Sequence, residues 1–170
     1  MTQKEKQTKL GEADSNYASE EYRASQSIAC PFCSLVRKEV RAFEVFRDEI
    51  SLSFLDRRPV FLGHCLLIPR SHFETLYDLP KNLIGPFFAN AQIVGKGVQT
   101  ALGADGTLIL INNKVSQSVP HLHIHIIPRK VGDHLRGFMW PRRKYESEDQ
   151  MAKIASSILI AISAASGKTV

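Results

Sequence analysis

Three of the chain's six histidines alternate with aliphatic residues in His121-Leu122-His123-Ile124-His125-Ile126-Ile127. In a β-strand, side chains at i, i+2 and i+4 share a face. This spacing therefore sets three imidazoles on one side and Leu122, Ile124 and Ile126 on the other, toward a core. Imidazoles on a strand with a buried back are costly to desolvate without partners, and they change charge near neutral pH. Such a row can bind a metal through several nitrogens, or it can do nucleophilic and acid–base work on a phosphate. A lone histidine would read as a satisfied structural residue. Three in strict alternation, between Gln117-Ser118 and Pro128-Arg129, do not.

The cysteines are the next residues capable of chemistry. Cys30 and Cys33 form a C-x-x-C pair and Cys65 stands alone. An odd count in a chain whose N-terminal residues lack an apolar signal segment argues against a disulfide framework. The pair reads as half of a zinc site or as a redox pair, and the redox reading lacks a surrounding thioredoxin-like βαβ pattern. The formal net charge of +5 suits anionic substrates such as nucleotide phosphates, and equally a weak nonspecific contact with nucleic acid.

These residues need elements to hold them. Residues 1–27 are polar and without period, which predicts a flexible tail, and residues 28–170 are expected to form one domain. The pattern predicts a short helix over Leu35–Val40 and strands over Phe43–Arg47, Ile50–Leu55 and Val60–Ile68, the last with a bend at Gly63. A helix is expected over Leu83–Leu102 and a strand over Thr107–Ile111. The histidine strand then ends at Pro128, and a C-terminal helix starts at Ser147, with Gln150 three residues on as the second half of a capping box. Hairpin-like spacing implies an antiparallel sheet with flanking helices, an α+β class. No apolar run approaches the roughly 18–20 residues of a membrane span, and the expected location is the cytoplasm.

Gln117-Ser118-Val119-Pro120-His121-Leu122-His123-Ile124-His125-Ile126-Ile127-Pro128-Arg129 resembles the signature of the histidine triad superfamily. These enzymes are nucleotide hydrolases and nucleotidyl transferases that attack an α-phosphorus. Upstream, Phe54-Leu55-Asp56 followed by Gly63-His64-Cys65-Leu66-Leu67-Ile68-Pro69-Arg70-Ser71-His72 is similar to the family's nucleoside-binding strand–turn–strand. Cys30-Pro31-Phe32-Cys33 matches the opening of many bacterial members. The resemblance implies the family's α+β fold and a homodimer with a sheet continued across the interface.

It also implies roles for residues. His123 would be the nucleophile that forms a nucleotidyl-histidine intermediate, and His125 would contact phosphate oxygens. His121 and His64 would orient the nucleophile and the phosphate. Asp56 would accept from the ribose hydroxyls, Gln117 and Ser118 would donate to phosphates or leaving group, and Asn112 would make a polar ligand contact. A structural zinc site would comprise Cys30, Cys33, His72 and His121, and no organic cofactor is called for. The turn Asp56-Arg57-Arg58-Pro59, with Gly63-His64 and Ile127-Pro128-Arg129-Lys130, looks closer to the dinucleoside polyphosphate hydrolases than to the phosphoramidate branch. A phosphorylase or phosphoramidase with the same intermediate is the enzymatic rival, and a nucleotide-binding regulatory protein without turnover is the rival of another class. The basic, aromatic segment 134–145 reads either as a substrate wall or as solvated charge with packed aromatics. It has what a nucleic-acid groove would need, but nothing else in the chain supports one.

Overall fold

The computed structural model describes residues 30–135 and 145–166, in two compact units divided after Val131. In the first unit, α1 (Pro31–Val36) precedes β1 (Glu44–Arg47), β2 (Ser51–Leu55) and β3 (Cys65–Pro69). A 3₁₀ turn (Leu76–Asp78), α2 (Lys81–Leu102), β4 (Gly106–Ile111) and β5 (Ile124–Arg129) follow. The five strands form one sheet in the order β1-β2-β3-β5-β4, with every neighbouring pair antiparallel. The α+β class with flanking helices is therefore the observed one.

Both faces of the sheet are covered. Leu67, Leu122, Ile124 and Ile126 pack with Phe87, Ala91, Val94 and Val98 of α2. Leu52, Phe54, Leu66 and Ile68 pack with Cys30, Phe32, Cys33 and Val36 of the α1 region. This explains why the β3 region reads as a continuous apolar run: a strand buried on both faces has no polar side to alternate with.

Several boundaries differ from expectation for identifiable reasons. The first helix starts within the C-x-x-C motif instead of following it. Pro31 takes the first helical position, where a missing N–H costs nothing, and Cys30 is the N-cap. Residues 60–64 are loop, not strand. Gly63 has φ +92°, and a Cβ there would run into Leu102 Cδ1. Strand β5 starts at Ile124, so His121 and His123 lie on the segment before the ladder and only His125 is inside it. The ladder begins late because the Leu122 N–H is taken by the Phe73 carbonyl (2.6 Å), and the first β3 partner is Leu67 opposite Ile124. The alternation of faces survives, since Leu122, Ile124 and Ile126 share the α2-side core.

In the second unit, α3 (Glu148–Ser166) begins after Ser147, whose Oγ accepts from the Gln150 N–H (3.1 Å). The return bond from Gln150 Oε1 reaches the N–H of Glu146 (2.9 Å) instead of Ser147, one residue off the expected capping box. Residues 1–29, 136–144 and 167–170, which include all of the polar tail and most of the basic aromatic segment, lie outside the described residues. Among the described residues no helix is long and apolar enough to cross a membrane.

Candidate functional site

The histidine-bearing run faces α1, and two side-chain clusters meet there. The first is Cys30, Cys33, His72 and His121, whose ligand atoms all lie within 4.8 Å of one another. The N-terminus of α1 presents both sulfurs to one point, because Cys30 and Cys33 are one helical turn apart. The Sγ atoms stand 3.5 and 3.6 Å from His121 Nδ1, and Cys33 Sγ is 3.4 Å from His72 Nδ1. Zinc–sulfur and zinc–nitrogen bonds of ordinary length at the tetrahedral angle give an S···N edge of about 3.6 Å, so the four residues fit a tetrahedral ion. His121 is fully buried, and its Nε2–H donates to the Pro69 carbonyl (2.9 Å). That bond fixes the tautomer and leaves the Nδ1 lone pair toward the sulfurs, as a ligating imidazole requires. Burial also holds its pKa down at about 4, so the ring is neutral.

The second cluster is His64, His123 and His125. His123 Nδ1–H donates to the His121 carbonyl (2.7 Å), which leaves Nε2 as the free lone pair. His64 Nδ1 accepts from the Val60 N–H (3.3 Å), and His64 Nε2 is 3.0 Å from His125 Nδ1. Burial lowers the pKa of His64, and burial with neighbouring histidines lowers that of His125 to about 4. Both rings are thus neutral at pH 7. A neutral His64 with an occupied Nδ1 carries its proton on Nε2 and donates to His125, whose own proton then sits on Nε2. That Nε2 is buried and has no hydrogen-bond partner among the described residues. A chain of three donors therefore ends in an N–H that nothing in the unit receives. Asp56 Oδ2 lies 3.5 Å from His64 Nδ1, too far to displace the Val60 N–H, while Oδ1 accepts from the Arg58 N–H (2.8 Å).

A cavity of about 660 Å³ opens beside this cluster, lined by His123, His125, Asp56 and Ser118 and walled by Phe32, Phe54 and Leu66 among others. Its size suits a nucleotide-sized ligand. The structure thus gathers Asp56, Ser118, His123 and His125 around one space, with His64 behind His125. It does not bring Asn112 or Gln117 into that lining. Asn112 Nδ2 donates to the Ser116 carbonyl (3.4 Å). Gln117 spends both ends of its amide on backbone, accepting from the Lys114 N–H (2.7 Å) and donating to the Glu74 carbonyl (2.6 Å).

Sequence reasoning missed Phe32. Its ring meets His123 edge-on at 5.4 Å and His121 at 5.8 Å, so it touches both clusters at once. The available signal was an aromatic between two ligand-type cysteines on a helix start. Cys65, by contrast, belongs to neither cluster. It is buried, which pushes its thiol up to about 11 and keeps it protonated.

Comparison with known proteins shows the family. Residues 37–132 match the model of the HIT domain. The chain is 31% identical over 140 residues to adenosine 5'-monophosphoramidase HNT1 of Saccharomyces cerevisiae, covering 80% of this chain and 84% of that one. It is 34% identical over 106 residues to adenylylsulfatase HINT3 of Arabidopsis thaliana; that match covers 61% of this chain and only 54% of the plant protein, about half its length. Among solved structures, a Zn-bound histidine triad family protein from Mycobacterium smegmatis superposes with a TM-score of 0.61 at 32% identity, covering 76% of this chain and 98% of that one. The chain belongs to the HIT domain family.

Proposed function

We propose that this protein is a nucleotide hydrolase that cleaves at an α-phosphate through a nucleotidyl-histidine intermediate on His123. The observation that carries the reading is the pair of opposed tautomers: a free Nε2 lone pair on His123 beside a free Nε2–H on His125. In the first step His123 Nε2 forms a bond to phosphorus, the bond to the leaving group breaks, and the leaving group departs with the electron pair. His123 Nδ1–H stays on the His121 carbonyl, so the developing imidazolium is stabilised where it forms. His125 Nε2–H donates to a non-bridging phosphate oxygen as charge builds there, and Ser118 supplies a second donor from the cavity wall. Water then cleaves the N–P bond and releases the nucleoside monophosphate. Asp56 takes the ribose hydroxyls, its carboxylate lining the same cavity.

Among substrates we place dinucleoside polyphosphates first, on the likeness of the Asp56-Arg57-Arg58-Pro59 turn and its companions to that branch. The phosphoramidase and adenylylsulfatase names of the two relatives support hydrolysis of nucleotidylated small molecules by the same site. Gln117 and Asn112 belong to this reading as loop residues that could turn toward a bound polyphosphate. Cys30, Cys33, His72 and His121 would hold a structural zinc ion, which supplies no chemistry to the reaction because four protein ligands leave no position for water. The reading includes a homodimer with the sheet continued across the interface, and β4 lies at the sheet's edge with Ile109 exposed.

The test is a substrate panel with and without inorganic phosphate. Diadenosine polyphosphates and adenosine 5'-phosphoramidate should yield AMP under both conditions. Phosphate-dependent ADP release would replace hydrolysis by phosphorolysis. Nucleotide binding without turnover of any member of the panel would make the protein a binding protein.

A further inference from the structure

The cavity also carries three arginines that the reaction scheme does not use. Arg41 precedes β1, and Arg57 and Arg58 follow β2; all three line the same cavity as His123 and His125. Strand β5 lies two positions from β2 and three from β1 in the sheet. At about 4.8 Å per strand, β2 and β1 stand about 10–14 Å from β5, and Asp56, next to Arg57, bridges that gap with its carboxylate within 4.8 Å of His64 and His125. A phosphate held at His123 and His125 therefore directs its nucleoside toward the arginine turns. Phe32, Phe54 and Leu66 wall the space between, an apolar slot suited to a planar ring.

The arginine turns are rich in donors and poor in acceptors. None of Arg41, Arg57 and Arg58 forms an ion pair with a carboxylate among the described residues. Arg57 Nη2 donates to the Arg41 carbonyl (3.4 Å), which gathers two of the turns, and Arg41 lies 6.0 Å over the Phe43 ring. The one carboxylate in the lining, Asp56, has Oδ1 occupied by the Arg58 N–H and Oδ2 near His64. A base placed here meets guanidinium N–H groups. Guanine presents O6 and N7 as adjacent acceptors, which a guanidinium fork can take together, whereas adenine places its N6 amino donor where O6 would be.

Resting on the nucleotide reading above, we infer that Arg41, Arg57 and Arg58 form a base-recognition rim that selects guanine over adenine nucleotides. The rim discriminates by unmet donors: adenine leaves guanidinium N–H groups facing an amino group, and guanine satisfies them.

Isothermal titration of the wild-type protein with GMP and with AMP tests this without requiring turnover. GMP should bind about tenfold more tightly than AMP, the low end for one bidentate base contact because the arginines are exposed. Guanosine 5'-phosphoramidate should exceed the adenosine compound in kcat/KM by a similar factor. The triple variant Arg41→Ala, Arg57→Ala, Arg58→Ala should bind both nucleotides and lose the preference. Equal binding of GMP and AMP by the wild type would overturn the rim, as would a preference that persists in the variant. Adenosine 3',5'-bisphosphate binding more tightly than AMP in an arginine-dependent way, with no gain for GMP, would assign the arginines to an anion and also overturn it. Failure of every nucleotide to bind would instead overturn the nucleotide reading itself.

Discussion

His121 and His123 are two residues apart, share a face, and turn opposite ring nitrogens to a backbone carbonyl. His121 gives its Nε2–H to the Pro69 carbonyl and turns Nδ1 to two sulfurs in a cluster where only His72 is partly exposed. His123 gives its Nδ1–H to the His121 carbonyl and turns Nε2 toward an open cavity. The residue type is the same; which nitrogen a backbone carbonyl captures decides whether the free lone pair faces the sulfurs or the cavity. The first cluster is satisfied by its own members. The second ends in an N–H on His125 that has no partner among the described residues, and an unmet buried donor is what a substrate can complete.

Changes that separate the two clusters should have separable readouts. The largest expected effect is on turnover. His123→Ala should lower kcat by about 10³-fold or more, since the proposed mechanism places the nucleophile there, and metal content measured on the purified protein should be unchanged. Cys33→Ser should do the reverse in the first instance. It should lower bound metal and cost on the order of several kcal/mol in chemical denaturation, with activity falling only as the fold loosens. Phe32→Ala joins the two regions because its ring touches both His121 and His123. It should destabilise by about 3 kcal/mol, as aromatic truncation in a core does, and also lower kcat. A variant that loses stability at full kcat would show that the clusters are independent.

Smaller effects sharpen the tautomer argument. His64→Phe removes the donor to His125 Nδ1, so His125 can carry its proton on either nitrogen. We expect kcat to fall about tenfold to a hundredfold while KM changes little, read from steady-state kinetics. The smallest effect is in the pH dependence of stability. The folded pKa of His125 is held at about 4 against an ordinary value of 6.5. Between these values the unfolded chain binds more protons, so stability falls as pH drops from about 6.5 toward 4 and then levels off. Partial solvent access keeps this below about 1 kcal/mol per pH unit. Denaturation midpoints that rise on acidification would contradict the neutral assignment.

The residues with strict spacing were the ones legible in the sequence. Alternation placed His121, His123 and His125 opposite Leu122, Ile124 and Ile126, and that holds although the strand starts only at Ile124. The apolar stripe from Leu83 to Leu102 foretold α2. What escaped were features set by tertiary hydrogen bonds and by turn geometry. The Leu122–Phe73 bond delays the ladder, and nothing local announces a partner 49 residues away. The loop at residues 60–64 looked like strand because Val60, Phe61 and Leu62 are β-prone, yet Gly63 with positive φ and the Phe61–His64 bond turn the chain. The resemblance gave Gln117 a donor role toward phosphates or leaving group, and nothing in the sequence announced the partners its amide has in the fold. Its two backbone bonds, which tie the 114–118 loop to Glu74, follow from loops brought together only in the fold. Pro31 at the first position of α1 was a missed local signal.

The central claim is that His123, and not its neighbours, carries the covalent intermediate. It can be tested by acid-free quenching of the protein with a radiolabelled nucleotidyl substrate during turnover, followed by proteolysis and mass mapping of the labelled peptide. One nucleoside monophosphate is expected on a histidine nitrogen of the peptide containing residues 121–125, with fragmentation assigning it to His123 and no label in His123→Ala. Label on His125, on His121 or on a residue outside that peptide, or turnover without any trapped adduct, would contradict it.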